Sequence, residues 1–234
     1  DFPDALSIPE DFARPKEMTY NGATVSVEMN MESTDKIEKY AKKNGFTPYV
    51  IFLSSLMVLL QRYSGRESDV VIGSPVSGRT RRETEKMLGM FVNTIAMRGR
   101  PTREISFYQF LKEMNDKCIN AYENQEYPFD RLVSDLSLGG DMSRNPLFDV
   151  MLAFQNNEQC EKEIKDIVVE TISYDGRVSK FDLTWNIEKR NSVYNIVLEY
   201  NTDIFREETI ERLIWHFEYL IEQLLTQPDK KIGE

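Results

Sequence analysis

Residues 48–63 place the strongest constraint on the fold, because they predict a helix that is apolar on almost every side. Thr47 and Pro48 predict where this helix begins, since a threonine hydroxyl caps free backbone N–H groups and proline is tolerated at the first helical position. A helix that is apolar all round is stable only inside a core. Other elements of the chain must therefore cover it on all sides.

Short apolar strands and amphipathic helices are predicted around this segment. The predicted strands cover residues 23–29, 69–72, 91–97, 148–154, 167–173, 181–188 and 192–200. The other predicted helices cover residues 34–43, 83–88, 106–122 and 206–226, with a short one after residue 128. Strands mixed with long helices predict an α/β fold in which helices cover a mixed β-sheet.

Local signals predict the ends of several elements. Ser33 or Thr34 can cap the first helix, and Gly45 can end it, because glycine adopts the left-handed conformation without strain. Residues 189–191 are predicted to form the turn of a hairpin between the last two strands.

Composition narrows the class of protein. The chain has 234 residues, of which 41% are hydrophobic, so it can fold around a large core. Its net charge of −10 disfavours a nucleic-acid partner, and no apolar run is long enough to cross a membrane. The sequence starts with Asp1-Phe2-Pro3, without methionine or a leader, so we expect a piece of a longer chain.

Two cysteines and one histidine disfavour several kinds of catalysis. Cys118 falls on the apolar side of a predicted helix and is expected in the core, whereas Cys160 falls in a polar loop. They lack the spacing of a disulfide or metal motif, which predicts a cytoplasmic protein. His216 flanks the apolar stripe of the last helix and is predicted to be structural, with a hydrogen-bonded tip. Ser-His-Asp and Cys-His catalysis would both require this residue, and a zinc site would need more ligands.

Residues 70–80, VVIGSPVSGRT, differ by one letter from the phosphate-binding loop G-x-x-x-x-G-K-[ST]. Arg79 stands where that loop needs lysine, and Pro75 lacks a backbone N–H group that could bind phosphate. No later apolar strand ends in an aspartate for magnesium, since the best candidate, residues 167–170, ends in glutamate. Nucleotide binding is therefore an alternative that the sequence disfavours.

Three further segments are informative together with residues 70–80. They are LGMFVNTIAMR at 88–98, ENQEYPFDRLV at 123–133 and DMSRNPLFDVMLAFQN at 141–156. Their order and content resemble signature motifs of the condensation domains of non-ribosomal peptide synthetases: a G-x-F-V-N-T strand, a Q-x-x-P-F-[ED] turn and a D-x-S-R-N-P-L loop. GSPVSGRT resembles the strand-to-loop turn of the same family. The resemblance covers essentially the whole chain.

The resemblance implies a fold and a division of the chain. Condensation domains are similar to chloramphenicol acetyltransferase, with two α/β lobes in a V and the active site in a tunnel between them. Their catalytic motif, H-H-x-x-x-D-G, lies in the first lobe, and a chain with one histidine cannot supply it. Residues 1–22 would then be an extended lead-in from the missing N-terminal lobe. Residues 23–234 would be the C-terminal lobe, without a catalytic or metal-binding residue.

The resemblance also implies a reaction and its partners. In this family, the amine of one carrier-bound aminoacyl group attacks the thioester of another, which gives a peptide bond. Both substrates are carried on the 4'-phosphopantetheine arms of carrier proteins, and no cofactor is bound directly. The partners would be the N-terminal lobe, peptidyl or acyl carrier proteins and neighbouring synthetase domains, and this chain alone would be inactive. A stand-alone carrier-protein docking module, without catalysis, is the alternative.

Four residues are expected to line the tunnel or support the site, by the same resemblance. Arg79 would pair across the tunnel with the aspartate of the catalytic motif, and Asn93 would face the tunnel. Arg144 and Asn145 would brace their loop through hydrogen bonds to backbone carbonyls. Asp130 is instead predicted to be a first-turn carboxylate that favours the helix dipole.

The last predicted helix carries aromatic residues outside its apolar stripe. Trp215 and Tyr219 lie four residues apart, on the side where a solvated helix usually carries charge. They are expected either to contact another domain or linker of the synthetase, or to cover a neighbouring loop of this lobe.

Overall fold

The computed structural model describes residues 6, 8–65, 69–138, 141–155 and 177–234. Among these residues, six strands form one mixed sheet in the order β1-β6-β5-β4-β2-β3. The strands are β1 (Gly22–Glu28), β2 (Val70–Val76), β3 (Asn93–Gly99), β4 (Val150–Gln155), β5 (Leu183–Arg190) and β6 (Val193–Asn201). β4 runs parallel to both β2 and β5, whereas the other neighbouring pairs are antiparallel.

Five α-helices accompany the sheet within the described residues. They are α1 (Met31–Asn44), α2 (Pro48–Ser64), α3 (Phe107–Glu123), α4 (Phe129–Asp135) and α5 (Glu207–Thr226). α2 packs against α1, α3 and α5, and these helices also contact the sheet, which confirms the predicted α/β fold. None of the described helices is by itself both long and apolar enough to cross a membrane, and α1 with α2 would pass that test only as a pair bent by 110°.

α2 is the buried helix that the sequence predicts. Every residue from Tyr49 to Gln61 is buried. The Thr47 hydroxyl caps the helix by accepting a hydrogen bond from the Val50 N–H at 3.3 Å, and Pro48 is the first helical residue. Burying one leucine or isoleucine side chain contributes about 1.5–3 kcal/mol, so this helix is a main source of stability.

The start of α1 differs from the prediction. Asn30, not Ser33 or Thr34, is the N-cap, and its side-chain oxygen accepts a hydrogen bond from the Ser33 N–H at 2.8 Å. The Thr34 hydroxyl is buried and accepts a hydrogen bond from the N–H of Tyr194 in β6 at 3.3 Å. A contact between distant parts of the chain thus uses the hydroxyl that the sequence suggested as a cap. Gly45 ends α1 in the left-handed conformation, as predicted.

The hairpin between β5 and β6 is confirmed, but its turn is shorter than predicted. β5 extends to Arg190, and only Asn191 and Ser192 form the turn, with φ angles of 47° and 71°. Two-residue turns with positive φ match the right-handed twist of the flanking strands. Lys189 is therefore part of the sheet, opposite Tyr194.

The segment after α2 departs most from the sequence prediction. β2 continues past residue 72 to Val76, because it pairs along its whole length with β3. The helix predicted at 83–88 is wrong, since only a 3-10 turn, Arg82–Thr84, forms there. The strand predicted from residue 91 begins at Asn93, because pairing with β2 sets where it starts.

The later strands agree with the prediction where the structure describes them. The strands predicted at 148–154, 181–188 and 192–200 are β4, β5 and β6, with ends that shift by at most two residues. The strand predicted at 167–173 and the loop with Cys160 lie outside the described residues.

Residues 8–20 form neither helix nor strand, and they lie against the folded chain. The Asp11 N–H donates to the Ile204 carbonyl at 3.0 Å, and the Met18 N–H donates to the Met142 carbonyl at 2.8 Å. These backbone bonds fix the path of this segment before β1 begins.

The cap of α1 gives a testable prediction. Asn30→Ala should lower the free energy of unfolding by about 1 kcal/mol, because it removes the acceptor for a free N–H group at the helix start. Ser33→Ala should change it by less than about 0.5 kcal/mol, since only the backbone of this residue takes part. Urea unfolding of both variants measures these values, and equal losses would contradict the assignment of Asn30 as the cap.

Candidate functional site

A second hydrophobic cluster lies on the face of the sheet away from α2. In β2, Val70 and Ile72 belong to the main core, whereas Val71 between them joins the second cluster. Leu147 and Phe148, from the loop before β4, complete its buried part. β2 therefore separates two apolar clusters, because successive side chains of a strand point to opposite faces of the sheet.

Phe148 brings several motif segments together. A Cβ added to Gly73 of β2 would be 2.1 Å from the Phe148 ring, so only glycine fits beneath this ring. The Phe148 ring also contacts Phe129 and Phe181, with ring centroids 5.6 and 5.5 Å away. Because residues 73, 129 and 148 come from three motif segments, these segments meet on this face of the sheet.

Asn93 joins the remaining motif segment to the same cluster. Its amide group donates to the carbonyls of Gln125 and Tyr127, both at 2.8 Å, and its Oδ1 accepts a hydrogen bond from the Phe129 N–H at 3.3 Å. All three bonds go to the turn at 125–129. Asn93 therefore fixes the position where α4 begins.

Arg79 holds together the loop between β2 and β3. Its guanidinium donates to the carbonyls of Thr84 and Gly89, the latter at 3.5 Å, and lies 4.5 Å from the centroid of the Phe91 ring. Gly78 has a φ of 63°, and a Cβ there would be 1.8 Å from the Phe91 carbonyl oxygen. The loop therefore folds closely around Arg79, whose side chain is half-buried.

The same loop displays large apolar side chains to solvent. Met87, Leu88, Met90 and Val92 are exposed by 52, 102, 92 and 65%, respectively. Val92 is therefore not part of the strand predicted from residue 91, which begins only after it. We call residues 87–92 the apolar loop.

Arg144 belongs to a network of buried and half-buried charges beside the Phe148 cluster. It donates to Asp149 at 2.5 Å and to Glu10 at 3.4 Å. Arg14 binds both oxygens of Asp182 and reaches Glu10 at 2.9 Å. The sequence predicts carbonyl partners for Arg144, but the structure shows carboxylates, because these acids need a cation where they are buried.

The four site residues named from the sequence form two separate pairs. Asn145 does donate to a backbone carbonyl, that of Lys180, at 3.3 Å. Arg79 follows the end of β2 and Asn93 begins β3, whereas Arg144 and Asn145 precede β4, which runs parallel to β2. The two pairs thus lie at opposite ends of the parallel strands.

Asp149 is the acid of this network with the raised pKa. Burial and the nearby Asp182 raise its pKa to about 6, against the lowering effect of Arg144. Its Oδ1 has no hydrogen-bond partner among the described residues. A buried carboxylate with one unsatisfied oxygen favours protonation.

The other candidates take structural positions. Nδ1 of His216 is 2.6 Å from the Tyr63 hydroxyl, which confirms the predicted hydrogen-bonded tip. Cys118 is buried in the main core, as predicted, and burial raises the pKa of its thiol to about 12. Asp130 lies in the first turn of α4, as predicted. Within the described ranges, no three metal-binding side chains are grouped to hold a metal ion.

Residues 73–80 do not build a phosphate-binding loop. Gly73 to Val76 continue β2 in pairing with β3. Only the 3-10 turn follows, instead of a helix whose N-terminus would bind phosphate. The structure therefore gives the nucleotide-binding alternative no phosphate-binding loop at this segment.

Sequence reasoning missed several residues of this face. Gly73 inside an apolar strand is the signal that could have found Phe148, because a strand glycine often marks a close approach. No local pattern links Arg14 with Asp182, which lies 168 residues later. The charge network is visible only in the folded chain.

α5 displays an aromatic pair on the side away from the core. Trp215 and Tyr219 are 59 and 54% exposed, and their rings stack with centroids 5.8 Å apart and planes 13° apart. Their predicted position outside the apolar stripe is confirmed.

Comparison with known protein families agrees with the arrangement of the motif segments. The family model of the condensation domain matches residues 2–234. This chain belongs to the condensation domain family. The resemblance that the four motif segments indicate is thereby confirmed.

The condensation domain chain is similar to parts of much longer proteins. It is 41% identical over 229 residues to Bacitracin synthase 3 of Bacillus licheniformis. This alignment covers 98% of this chain and 4% of that protein. Gramicidin S synthase 2 of Brevibacillus brevis is 37% identical over 229 residues. That alignment covers 98% of this chain and 5% of the synthase. The chain therefore spans a small part of the length of these relatives.

Solved structures confirm the fold of a condensation domain with the chloramphenicol acetyltransferase-like architecture. The chain matches a four-domain nonribosomal peptide synthetase bound to AMP and glycine with a TM-score of 0.89 and 24% identity, over 99% of this chain and 19% of that one. It matches the X-domain from teicoplanin biosynthesis with a TM-score of 0.88 and 20% identity, over 98% of this chain and 52% of that one. The chain thus corresponds to about half of the X-domain structure.

The carboxyl group of Asp149 gives a pH-dependent prediction. Its pKa in the folded protein, about 6, is above the ordinary value of 3.8, so folding favours the protonated form. The contribution of this group to the free energy of unfolding should therefore be highest below about pH 4 and fall by about 3 kcal/mol as the pH rises to about 7.

Asp149→Asn provides the comparison, because its amide does not titrate in this range. The difference in unfolding free energy between the wild type and Asp149→Asn, measured by urea unfolding at several pH values, should show this fall. A difference that does not change with pH would contradict the raised pKa.

Proposed function

We propose that the complete condensation domain joins carrier-bound aminoacyl or peptidyl thioesters by amide bond formation, and that this chain is its C-terminal lobe. The relatives support the reaction, since they are synthases named for bacitracin and gramicidin S. The match to about half of the X-domain supports the division into lobes. Residues 1–22 would lead in from the other lobe, and residues 23–234 would form this one.

The single observation that carries the proposal is the exposed apolar loop beside the converging motif segments. These segments meet around Phe148 and extend through Asn93 to the loop held by Arg79. A group of fully exposed large apolar side chains, such as Leu88 and Met90, marks a surface that another body covers. The N-terminal lobe is the body that we propose.

The proposed reaction needs a general base, and the one histidine of this chain does not lie on its motif face. An amine that attacks a thioester carbonyl must lose a proton, and a base within hydrogen-bond reach accepts it. His216, the one histidine, lies on α5 beside Tyr63, in the layer of helices on the opposite side of the sheet. The H-H-x-x-x-D-G motif of the N-terminal lobe would therefore supply the base.

Arg79 would connect the two lobes. Its guanidinium has five N–H donors, and the bonds to Thr84 and Gly89 leave donors free for a carboxylate. It would pair with the aspartate of the catalytic motif across the tunnel. Asn93, through the turn at 125–129, and Arg144 with Asn145 would support the wall that this lobe contributes.

The substrates would arrive on the 4'-phosphopantetheine arms of peptidyl or acyl carrier proteins, so the lobe itself would bind no cofactor. The synthetase would work in the cytoplasm, with its other domains next to this lobe. We assign the stacked pair Trp215 and Tyr219 to the contact with the next domain or its linker, because large exposed aromatic rings are enriched at interfaces.

The proposed function is tested first with this chain alone. Incubated with loaded donor and acceptor carrier proteins, it should form no dipeptidyl thioester above a control without protein, whereas the complete domain should form it. Mass spectrometry of the carrier-bound products measures both. Product from this chain alone would refute the half-domain proposal, and carrier binding without product from the complete domain would favour a docking module.

Arg79 is tested in the complete domain. Arg79→Ala should lower kcat/KM strongly, because removing one partner of a buried ion pair leaves the other charge uncompensated, at a cost of about 3–5 kcal/mol. Arg79→Lys should restore little activity, since an ammonium group lacks the planar, paired N–H donors of a guanidinium. Arg82→Ala, at an exposed position of the same loop, is the matched control. Wild-type kcat/KM in both Arg79 variants would remove this residue from the site.

The aromatic pair on α5 is tested with the double variant Trp215→Glu and Tyr219→Lys. Its free energy of unfolding should stay within about 1 kcal/mol of the wild type, as for ordinary surface changes. Its association with the downstream domain, supplied as a separate protein and measured by calorimetry, should be weaker. If the double variant unfolds instead, the two rings belong to the core of this lobe and the interface proposal is wrong.

A further inference from the structure

A cavity of about 270 Å³ opens beside the end of β2, on the side of the sheet that α2 and α3 cover. The start of α2 contributes Tyr49, and β2 contributes Ser74 and Pro75. α3 contributes Cys118, Ile119 and Tyr122, which lie on one face of the helix because they are three and four residues apart. The cavity is large enough for one amino-acid side chain and smaller than the usual range for drug-sized ligands.

Aromatic rings form much of the wall of this cavity. The ring of Tyr49 lies 6.3 Å from that of Tyr122 and 6.2 Å from that of Phe154. Aromatic side chains pack best edge to face or offset against further rings. A ring-shaped ligand therefore fits this wall.

The wall also contains a group of hydroxyls. Tyr49 is 7% exposed, and its hydroxyl lies near those of Ser74 and Tyr122 but makes no well-formed hydrogen bond among the described residues. Burial raises the pKa of Tyr49, so the hydroxyl stays protonated and available as a donor. The nearby Ser74 hydroxyl donates to the Leu152 carbonyl at 3.0 Å and keeps its own capacity to accept. A ligand with a polar tip would give these hydroxyls a better-aligned hydrogen-bond partner.

The position of the cavity links it to the proposed reaction. Ser74 and Pro75 line it, and Arg79 follows a few residues later on the same segment. Asn93 and Thr94 of β3 lie directly opposite Val76 and Pro75. The cavity thus adjoins the end of the sheet where this lobe would meet the other.

We infer that this cavity holds the side chain of an aminoacyl substrate, and that it favours an aromatic ring with a terminal hydroxyl. The identity of the ligand as a substrate rests on the proposed function, whereas the chemistry of the cavity does not. Tyr49 and Ser74 would bind the hydroxyl, and Tyr122 and Phe154 would contact the ring. Ile119, which is exposed at the mouth, would limit the size of the side chain.

The cavity is tested first by ligand binding to the complete condensation domain. The probe is 4-methylphenol, with toluene as the ring that lacks a hydroxyl, and NMR titration measures both. 4-Methylphenol should bind more tightly than toluene, and Ile119→Trp, which fills the mouth, should abolish its binding. Asn120→Trp, one residue along α3 and exposed, places the same ring outside the cavity and should bind like the wild type. The inference is overturned if the wild type does not bind 4-methylphenol, or if Ile119→Trp binds it as tightly as the wild type does.

The second arm measures selectivity in amide bond formation. Tyrosyl and alanyl thioesters are compared, first as acceptors and then as donors. The ratio of their kcat/KM values should fall by about tenfold or more in Ile119→Trp for one of the two roles, and it should not change in Asn120→Trp. Unchanged ratios in both roles overturn the substrate assignment. If the wild type forms no amide but binds 4-methylphenol as described, the proposed reaction is wrong and the phenol-binding cavity stands.

Discussion

The burial of α2 on every side is the constraint on which the rest of the structure depends. Its residues from Tyr49 to Gln61 are all buried, so α1, α3 and α5 surround it and the sheet closes the remaining side. Because four helices occupy this face, the other face is left to α4 and to loops. The motif segments take that position around Phe148, and the apolar loop at the end of β2 is the surface where we propose that another lobe binds.

The proposed sharing of the reaction between two lobes would account for features that the stability of this chain alone does not require. Leu88 and Met90 are displayed to solvent, although a single domain would gain by burying them. Arg79 is already fixed by backbone carbonyls and by the Phe91 ring. A cation that is held in place before its partner arrives loses less side-chain entropy when the pair forms.

Local signals predicted the parts of the fold that depend on local chemistry. Thr47 and Ser106 start α2 and α3 as expected, because capping needs only neighbouring N–H groups. The hydroxyl of Thr34 was not available as a cap, since β6 uses it from 160 residues away. Motif resemblance pointed to Arg79 and Arg144, but their partners could not be predicted, because the β2–β3 loop and a network between distant segments provide them. The turn of that loop around Arg79 also replaced a helix that the sequence favoured at 83–88.

The central claim is that this chain is one lobe completed by another. The most direct test is the exchange of backbone amide hydrogens at residues 82–92. Measured by mass spectrometry, deuterium uptake of this segment should be slow in the complete domain and faster in this chain alone, because the second lobe covers the apolar loop. Uptake in α2 should be the same in both proteins, since its cover lies within this lobe. Equal uptake at 82–92 in the two proteins would contradict the account.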